Sequence, residues 1–520
     1  MAGRRARRRY RWTPARFGAV AVVTLVLIAS EARDATTFRL LGPPLEFGGV
    51  GLLQGAPAAD GSVLLVQTDT EFREDAPDEC IGEVPVGRVW RPPDFSVGDR
   101  FQVNPSLAGD RPSDQVRAVS SVADGSFAVG WQTRRTWDGD GPGVFVSITR
   151  PGDTLDVHTN VSIAMETLDD QSGLAFDIDP VRGGAAVWRT RSATFEVVNE
   201  VRGRRLGSDG LPVGDEFTVA EPDSYGSGSP DVATFADGSF VVVWSQNVRS
   251  DDVGEFGEIY AREFDALGVA TSAVTRVNQR TRGDQGPATV SAIPGKREYI
   301  VSWLSRKKGR HPEFNQQVFV RGFASGVTGT SRQRRANRKP VGADGLVRLG
   351  VGASGDVLSV WIGRHGGGHG LFVMPFGEDL RAAQNPVLVD WDGAAGQRGE
   401  LKDASVVRLR GAEHLLTWGF DARTNIVIAQ RVCTTPREAL QCGNVTSECP
   451  EADDGSADPV DFADVRALLR AATGETWCDP CVCDVDATGV ISANDALVLA
   501  RQVLSGGSIT TCPQCSLITR

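Results

Sequence analysis

A strand-turn-strand unit recurs seven times along this 520-residue chain, and it limits the possible folds more than any other feature. The clearest copy runs from Asp231 to Trp244 around an Asp-Gly turn. The other copies end at Gln67, Trp131, Trp188, Trp303, Trp361 and Trp418. After a longer first gap, these ends are 56 to 59 residues apart. Such a period indicates one supersecondary unit repeated along the chain, in which no copy buries its apolar face alone.

The clearest copy predicts four antiparallel strands. The first is Asp231–Phe235, and Ala236–Gly238 turns the chain, since a tight hairpin turn needs the positive φ that Asp-Gly adopts easily. The second strand, Phe240–Trp244, is a continuous apolar run, as expected of a strand covered on both faces. Ile259–Phe264 and Ala273–Asn278 complete the unit. Four antiparallel strands in about 57 residues match one blade of a β-propeller.

Seven copies predict a seven-bladed β-propeller over residues 33–435. The last copy lacks a fourth strand, whereas Thr37–Phe47 is a strand without a unit of its own. We therefore expect Thr37–Phe47 to pair with Asn425–Val432, which would close the ring and remove an open sheet edge. The recurring Trp is expected to pack between blades rather than to stack on a ligand. The rival folds are an open β-solenoid and a string of small sandwiches.

The units resemble the Asp-Gly-Ser-Phe-Val-Val-Val-Trp repeats of many large secreted bacterial surface proteins. The resemblance covers about residues 37–432, and it is specific for the repeat rather than for an activity. It is weakest in the third and fifth units, where Arg182-Gly-Gly184 and Pro294-Gly-Lys296 replace the Asp-Gly turn.

The N-terminus has the pattern of an export signal. Seven arginines precede the apolar run Phe17–Ser30, and Ser30-Glu-Ala32 offers small residues where a signal peptidase cleaves. We predict a signal peptide at residues 1–32, with an uncleaved anchor as the alternative. The net charge of −11 argues against nucleic acid and anionic lipid as partners. The protein is expected to be secreted, extracellular or on the cell surface, with no membrane span after cleavage.

Eight of the nine cysteines lie in the last 88 residues. In an exported protein this cluster favours a disulfide framework. The spacing of Cys478-Asp-Pro-Cys481 and Cys512-Pro-Gln-Cys515 would also suit a zinc ribbon. Because the total is odd, one thiol is left over. Either Cys80 is that thiol, or Cys80 pairs with the tail.

No catalytic motif is present in the repeats, so the catalytic residues stay unknown. There is no nucleophile elbow, phosphate-binding glycine loop or zinc-protease helix, and no carboxylate pair stands out for glycoside hydrolysis. Three short segments are interpreted as solvated loops. For His365–His369 the alternative is a metal site, and for Trp137–Gly141 it is a Ca²⁺ site. For Arg332–Lys339 it is a docking patch or a protease-sensitive site.

The tail contains a twelve-residue loop whose oxygen-bearing residues have the spacing of a Ca²⁺ site. Gly489 permits the sharp turn, and Val490 offers its backbone carbonyl. The predicted ligands are Asp484, Asp486, Thr488, Val490, Ser492 and Asp495. Ala496–Leu504 follows as an amphipathic helix, with Leu497, Ala500 and Leu504 on one side.

A second loop-helix unit precedes this one, with a weaker Ca²⁺ site at Asp453, Asp461 and Asp464 and a helix at Val465–Ala472. The tandem over about residues 449–507 resembles a type I dockerin, which implies a Ca²⁺-dependent module at residues 436–520 and a cohesin-like or other surface protein as its partner. By that resemblance Ala493, Asn494, Phe462 and Ala463 would contact the partner. A small helical cap is the alternative.

The sequence thus predicts a mainly β protein with a small α-helical, EF-hand-like C-terminal domain. The expected function is a secreted non-catalytic binding or scaffold protein that docks in surface or polysaccharide-associated assemblies, with polysaccharide as a further partner. The alternative is a secreted glycoside hydrolase or polysaccharide lyase whose active site lies on the propeller face.

Overall fold

The chain divides into two compact units, Met1–Arg33 and Asp34–Arg520, and all described residues belong to the second. The computed structural model describes residues 36–48, 53–58, 61–72, 80–91, 96–104, 114–133, 142–150, 159–165, 169–191, 199–223, 228–250, 254–281, 283–306, 316–337, 347–352, 355–365, 368–377, 379–382, 385–391, 400–409, 413–420, 426–436, 465, 468–469, 472 and 493–505.

The described residues form thirty β-strands in seven antiparallel sheets, and each sheet is one blade of a β-propeller. Blade 1 contains β2 (Leu53–Pro57), β3 (Val63–Phe72), β4 (Cys80–Arg91), β5 (Ser96–Val97) and β6 (Phe101–Gln102). Blade 2 contains β7 (Asp114–Ser121), β8 (Phe127–Thr133), β9 (Val144–Thr149) and β10 (Thr159–Ser162). Blade 3 contains β11 (Asp170–Asp179), β12 (Gly183–Arg191), β13 (Asn199–Leu206) and β14 (Pro212–Asp223).

The remaining blades repeat this order. Blade 4 contains β15 (Asp231–Thr234), β16 (Phe240–Ser250), β17 (Gly254–Phe264) and β18 (Thr275–Arg276). Blade 5 contains β19 (Asp284–Ala292), β20 (Glu298–Arg306), β21 (Gln316–Ala324), β22 (Thr328–Gly329) and β23 (Arg334–Arg335). Blade 6 contains β24 (Val347–Val351), β25 (Val357–His365), β26 (Gly368–Phe376) and β27 (Val387–Trp391). Blade 7 contains β28 (Leu401–Arg408), β29 (Glu413–Phe420) and β30 (Ile426–Pro436).

The fourth strand of blade 7 comes from the start of the propeller. β1 (Thr36–Gly48) pairs antiparallel with β30, in a register that runs from Thr36 opposite Pro436 to Gly48 opposite Ile426. One register shift interrupts the pairing between Leu41 and Leu45. The predicted closure of the ring is therefore confirmed, and the open solenoid and the string of sandwiches were wrong alternatives.

The apolar core lies between the blades. Its seven clusters each combine residues of two neighbouring blades, so every blade-to-blade contact has its own core. Trp244 of blade 4, for example, packs in one cluster with Val187 and Val201 of blade 3. All six repeated tryptophans are at most 3% exposed. The predicted place between blades is confirmed for the five that belong to these clusters: Trp188, Trp244, Trp303, Trp361 and Trp418.

The turn after the first strand keeps its geometry where the sequence departs from Asp-Gly. Gly238 in the standard turn has φ of 81°, and Gly183 and Gly295 in the two divergent turns have φ of 82° and 70°. A Cβ at Gly183 would lie 2.4 Å from the Leu206 carbonyl oxygen. The glycine, rather than the aspartate, is therefore what these turns require.

The basic segment predicted as a solvated loop belongs to blade 5 instead. β23 (Arg334–Arg335) pairs with β21, and the next two residues, Ala336 and Asn337, are buried. Gln333 and Gln279 of blade 4 exchange backbone-to-side-chain hydrogen bonds of 2.8 and 3.0 Å. Arg334 and Arg335 thus lie on a short strand with exposed side chains, where a loop was predicted, and Arg338 and Lys339 lie outside the described residues.

One helix of the tail is described as a continuous element, α1 (Ala493–Ser505), where a helix was predicted at Ala496–Leu504. The face of α1 that is buried differs from the apolar face predicted from the sequence. Ala496 and Leu499 are at most 1% exposed, whereas Leu497 and Leu504 are 48% and 75% exposed. Val465, Leu468, Leu469 and Ala472 are also helical, within the earlier predicted helix. Among the described residues no helix is long and apolar enough to cross a membrane.

Candidate functional site

A central cavity of about 370 Å³ lies where the first strands of all seven blades meet. It is lined by residues of β2, β7, β11, β15, β19, β24 and β28. Its four charged lining residues come from four different blades: Arg117, Asp177, Asp231 and Arg348. Asp403, from a fifth blade, lies 3.7 Å from Arg348. The chemistry of the cavity depends on how these groups are held.

The carboxylates of Asp177 and Asp231 each accept hydrogen bonds from the first strand of the following blade. Asp177 Oδ2 accepts a hydrogen bond of 2.8 Å from the backbone N–H of Thr234. Asp231 Oδ2 accepts one of 2.9 Å from the N–H of Val290 and one of 2.7 Å from the hydroxyl of Thr289. These carboxylates therefore connect blade 3 to blade 4 and blade 4 to blade 5.

Asp403 does the same at the ring closure. Its Oδ2 accepts a hydrogen bond of 2.9 Å from the backbone N–H of Leu53, so blade 7 is joined to blade 1. The side chain is 4% exposed, and Arg348 lies 3.7 Å from Oδ1. Arg348 supplies positive charge beside a carboxylate that would otherwise be buried at high cost.

Burial raises the pKa values of all three carboxyls. Burial and the nearby charge of Asp231 raise the pKa of Asp177 to about 6, although the hydrogen bond from Thr234 lowers it. Burial also raises the pKa values of Asp231 and Asp403, and the positive charge of Arg348 opposes the rise in both. Asp177 can therefore carry a proton close to neutral pH at the wall of the central cavity.

A second cavity of about 380 Å³, the mouth pocket, adjoins the central cavity and shares Arg117, Gly173 and Ser229 with it. The pocket lies where β7 and β11 begin and where β8 and β12 end. Its lining consists of Arg117, Gln132, Thr133, Pro142, Asp170, Ser172, Gly173, Arg189, Arg191 and Ser229. Eight of these ten residues carry a polar or charged side chain, and three of the eight are arginines.

Arg117 reaches the pocket from an irregular point of β7. The pairing of β7 with β8 shifts between Val116 and Ala118, so that Arg117 is the extra residue of a bulge. Bulges change the direction of a side chain, and they are frequent next to binding sites. The guanidinium donates to Gln115 Oε1 at 2.8 Å, and Gln115 in turn donates to Glu83 Oε2 at 2.8 Å. The neutral side chain of Gln115 thus orients the guanidinium of Arg117.

Arg189 and Arg191 alternate in β12, so both side chains leave the same face of the blade. Arg189 is half-buried and donates to the hydroxyl of Ser172 at 3.0 Å. Burial and the neighbouring charge of Arg191 lower the pKa of Arg189. The pair concentrates positive charge at one wall of the mouth pocket.

Gly173 lines both cavities. Its φ is 67°, and its N–H donates to Gln132 Oε1 at 2.9 Å. A Cβ at this position would lie 2.7 Å from the hydroxyl oxygen of Ser229. The absence of a side chain therefore lets blade 4 approach blade 3 and shapes the pocket.

The predicted Ca²⁺ sites lie outside the described residues, apart from Asp495, which falls within α1. Trp137–Gly141 also lies outside them. No group of three or more His, Cys, Asp or Glu that could hold a metal occurs in the described part of the chain.

The two histidines of the predicted polar loop lie on strands instead. His365 ends β25 and packs edge-on against Trp391 at 5.4 Å between ring centres. His369 lies in β26, with Nδ1 3.7 Å from Glu400. His365 pairs with Gly368 where β25 and β26 meet, and the two rings have separate neighbours.

The mouth pocket was missed from the sequence, although one signal was present. The residue that follows each repeat end is small, polar or apolar in six copies and charged in one: Thr68, Gln132, Arg189, Ser245, Leu304, Ile362 and Gly419. Arg189 departs from what the repeat requires for folding, which is what a functional residue would do.

No family model matches the chain, and no curated protein matches it. Similar solved structures include a protein of unknown function from Dyadobacter fermentans, at 10% identity and a TM-score of 0.44, covering 76% of this chain and 99% of that one. An alpha-L-arabinanase from Penicillium chrysogenum, complexed with arabinobiose, is 12% identical with a TM-score of 0.41, covering 68% and 98%. A polysaccharide lyase, an ulvan lyase, is 8% identical with a TM-score of 0.47, covering 75% and 95%. Identities and TM-scores this low carry no argument about what this chain binds or catalyses.

Proposed function

We propose that the mature chain binds an extracellular polysaccharide at the mouth pocket. The observation that supports this is the lining of the pocket, in which amide, hydroxyl and guanidinium groups face a cavity of about 380 Å³. Sites for small apolar ligands are lined mostly by hydrophobic and aromatic side chains. Hydroxyl-rich sugar units instead need many hydrogen-bonding groups, and the accessible ones here include the hydroxyls of Ser172 and Ser229.

Blocking the pocket should remove polysaccharide binding. Ser229 is exposed and lines both cavities, so Ser229→Trp places a large ring in the pocket. We expect affinity for the best ligand of a polysaccharide panel to fall at least about tenfold, as a filled subsite loses its contacts. Thr271→Trp, at an exposed turn of blade 4, is the matched control and should bind normally. Equal binding by both variants would place the ligand elsewhere.

The second candidate is a secreted glycoside hydrolase or polysaccharide lyase, the class of the arabinanase and the ulvan lyase above by name. The observation that favours it is the pair Asp177 and Asp231 in the central cavity, both with raised pKa values. Glycoside hydrolysis uses two carboxyl groups, one of which starts protonated. Both carboxyls here also join neighbouring blades, and this structural role favours the binding function.

The same polysaccharide panel separates these two functions. Incubation with each polymer, followed by measurement of new reducing ends and of unsaturated products, detects hydrolysis and lyase activity respectively. The binding function predicts no turnover of any polymer that binds. Turnover that Asp177→Asn abolishes, in a variant that still unfolds at the temperature of the wild type, would establish the enzyme instead.

For the tail, we propose a dockerin-like module that binds Ca²⁺ and docks onto a cohesin-like or other surface protein. Support comes from the spacing of Asp484, Asp486 and Asp495 and from the helix α1, which contains the last three residues of the loop, Asp495 included. Hard oxygen ligands at this spacing suit Ca²⁺. The polysaccharide-binding propeller would then be carried on an assembly by its tail.

Calcium binding by the mature chain should be dominated by one site. Titration calorimetry should show about one Ca²⁺ with a dissociation constant of about 10⁻⁴ to 10⁻³ M, as in extracellular modules. Asp484→Ala should abolish this binding, and Asp453→Ala in the weaker copy should change it little. Two equal sites would show that the first loop was misinterpreted, and no binding would make the tail a disulfide-linked cap.

A further inference from the structure

Trp391 is exposed, unlike the other tryptophans of the described blades. Its side chain is 39% exposed, whereas the other seven described tryptophans are at most 3% exposed. Trp391 ends β27, the fourth strand of blade 6, so it is not one of the repeated tryptophans that end the sequence repeats. Because a ring in water gives little hydrophobic stabilisation, burial does not explain why an aromatic residue lies here.

The repeat does not require an aromatic side chain at this position either. Trp391 lies opposite Gly370, two residues before the third-strand residue that pairs with the repeat end of blade 6. In blades 1, 4 and 5 the equivalent position holds an asparagine that is at most 2% exposed: Asn104, Asn278 and Asn337. The side-chain oxygens of Asn278 and Asn337 accept hydrogen bonds of 2.9 and 3.1 Å from backbone N–H groups of the third strand. Blade 6 thus replaces a buried, bonded amide with an exposed ring, which is a departure expected of a functional residue.

The exposed ring of His365 lies beside Trp391 on the same side of blade 6. The two ring centres are 5.4 Å apart, and the planes cross at 78°. Trp361, four residues earlier on the same strand, packs in a cluster with residues of blade 5. Since alternate residues of a strand face the same side, His365 also faces blade 5. The indole and the imidazole therefore form one exposed aromatic corner, which we call the blade 6 corner.

The blade 6 corner combines an apolar surface with hydrogen-bonding groups. The indole has an apolar face and one N–H donor, and a neutral imidazole has one donor and one acceptor. A sugar ring has the complementary surface, with C–H groups on its face and hydroxyl groups around its rim. The next residues along the two strands, Arg364 and Asp390, are charged. Because the cores of protein interfaces are depleted of charge, a sugar fits this corner better than the apolar face of a protein does.

The corner lies at the same end of the propeller as the mouth pocket. That pocket is found where β8 and β12, the second strands of their blades, end. His365 ends β25, the second strand of blade 6, and Trp391 ends β27, which runs in the same direction. A polymer held in the mouth pocket therefore lies on the face of the ring to which the blade 6 corner belongs.

We propose that the blade 6 corner is a second sugar-binding subsite, in which one sugar ring stacks on the indole of Trp391 and a hydroxyl group bonds to the imidazole of His365. This inference rests on the proposed binding of polysaccharide and adds a second contact with the same polymer. Two subsites on one polymer strengthen binding, because the second contact becomes intramolecular once the first has formed.

The test titrates the full mature chain with four soluble polymers: arabinan, xylan, laminarin and polygalacturonate. Calorimetry measures affinity, and tryptophan fluorescence reports on the stacked ring. For the polymer that binds most tightly, Trp391→Ala should weaken binding at least about tenfold, since it removes one of two linked subsites. Trp391→Phe keeps a smaller ring, so it should bind more tightly than Trp391→Ala but lose the change in emission that the polymer causes in the wild type. His365→Ala should weaken binding by a smaller factor.

Leu267→Ala is the matched control, because Leu267 is 71% exposed in the turn after β17, at the opposite end of the propeller. It should bind like the wild type, and all variants should unfold at the temperature of the wild type. Loss of binding in Ser229→Trp, with unchanged binding and emission in the Trp391 variants, would overturn this inference and leave the proposed function intact. The reverse pattern would keep the blade 6 corner and remove the mouth pocket as the site. A wild-type chain that binds none of the four polymers would overturn both.

Discussion

Deletion of residues 36–48 from the mature chain is expected to abolish the cooperative folding of the propeller. β1 provides the fourth strand of blade 7, and its register with β30 spans the full length of both strands. Without it β30 would present an open row of backbone donors and acceptors, which pairs readily with other chains. The variant should be insoluble or aggregated on size-exclusion chromatography.

Deletion of residues 33–35 alone is the control, because it leaves β1 in place. It should give a monomeric protein with the unfolding temperature of the wild type. A soluble 36–48 deletion with an unchanged unfolding transition would show that blade 7 is stable with three strands, and ring closure would then contribute little.

Trp244→Ala should reduce the free energy of unfolding by about 3 to 5 kcal/mol, the usual cost of removing a large aromatic side chain from a core. Trp244 is fully buried between blades 3 and 4, and its indole N–H donates to Gln246 Oε1 at 3.2 Å. Urea unfolding measures the loss. Trp391→Ala is the matched control: Trp391 is 39% exposed, and we expect a cost below about 1 kcal/mol. Equal costs would mean that the repeated tryptophans do not hold the blades together.

The sequence predicts the blades well because one physical requirement is repeated. Each copy must form a tight turn and bury a strand on both faces, so a glycine and an apolar run recur at a fixed spacing. Ring closure also follows, since a seventh unit without a fourth strand and a strand without a unit complement each other. Both predictions start from local sequence patterns, although the pairing of β1 with β30 joins the two ends of the propeller.

The aspartates that join the blades could not be predicted in this way. Asp177 bonds to Thr234, 57 residues away, and Asp403 bonds to Leu53, 350 residues away. Their positions along the first strand also differ from blade to blade, so no periodic signal marks them. A carboxylate in a strand has many possible partners, and only the assembled ring selects one.

The mouth pocket was missed for a related reason. Arg117 enters it from a bulge in blade 2, whereas Arg189 and Arg191 enter it from blade 3. A bulge changes the alternation of side chains, and nothing in the sequence of β7 indicates that one is present. The buried side of α1 was misjudged because Ala496 with Leu499 fits helical periodicity as well as Leu497 with Leu504.

The central claim is that the mouth pocket binds the polysaccharide, and a crystal structure of the mature chain with the tightest-binding oligosaccharide tests it most directly. We expect a sugar unit in the mouth pocket, within hydrogen-bond distance of Ser172 and Ser229. An oligosaccharide bound on another surface of the propeller, with the mouth pocket containing only water, would contradict it.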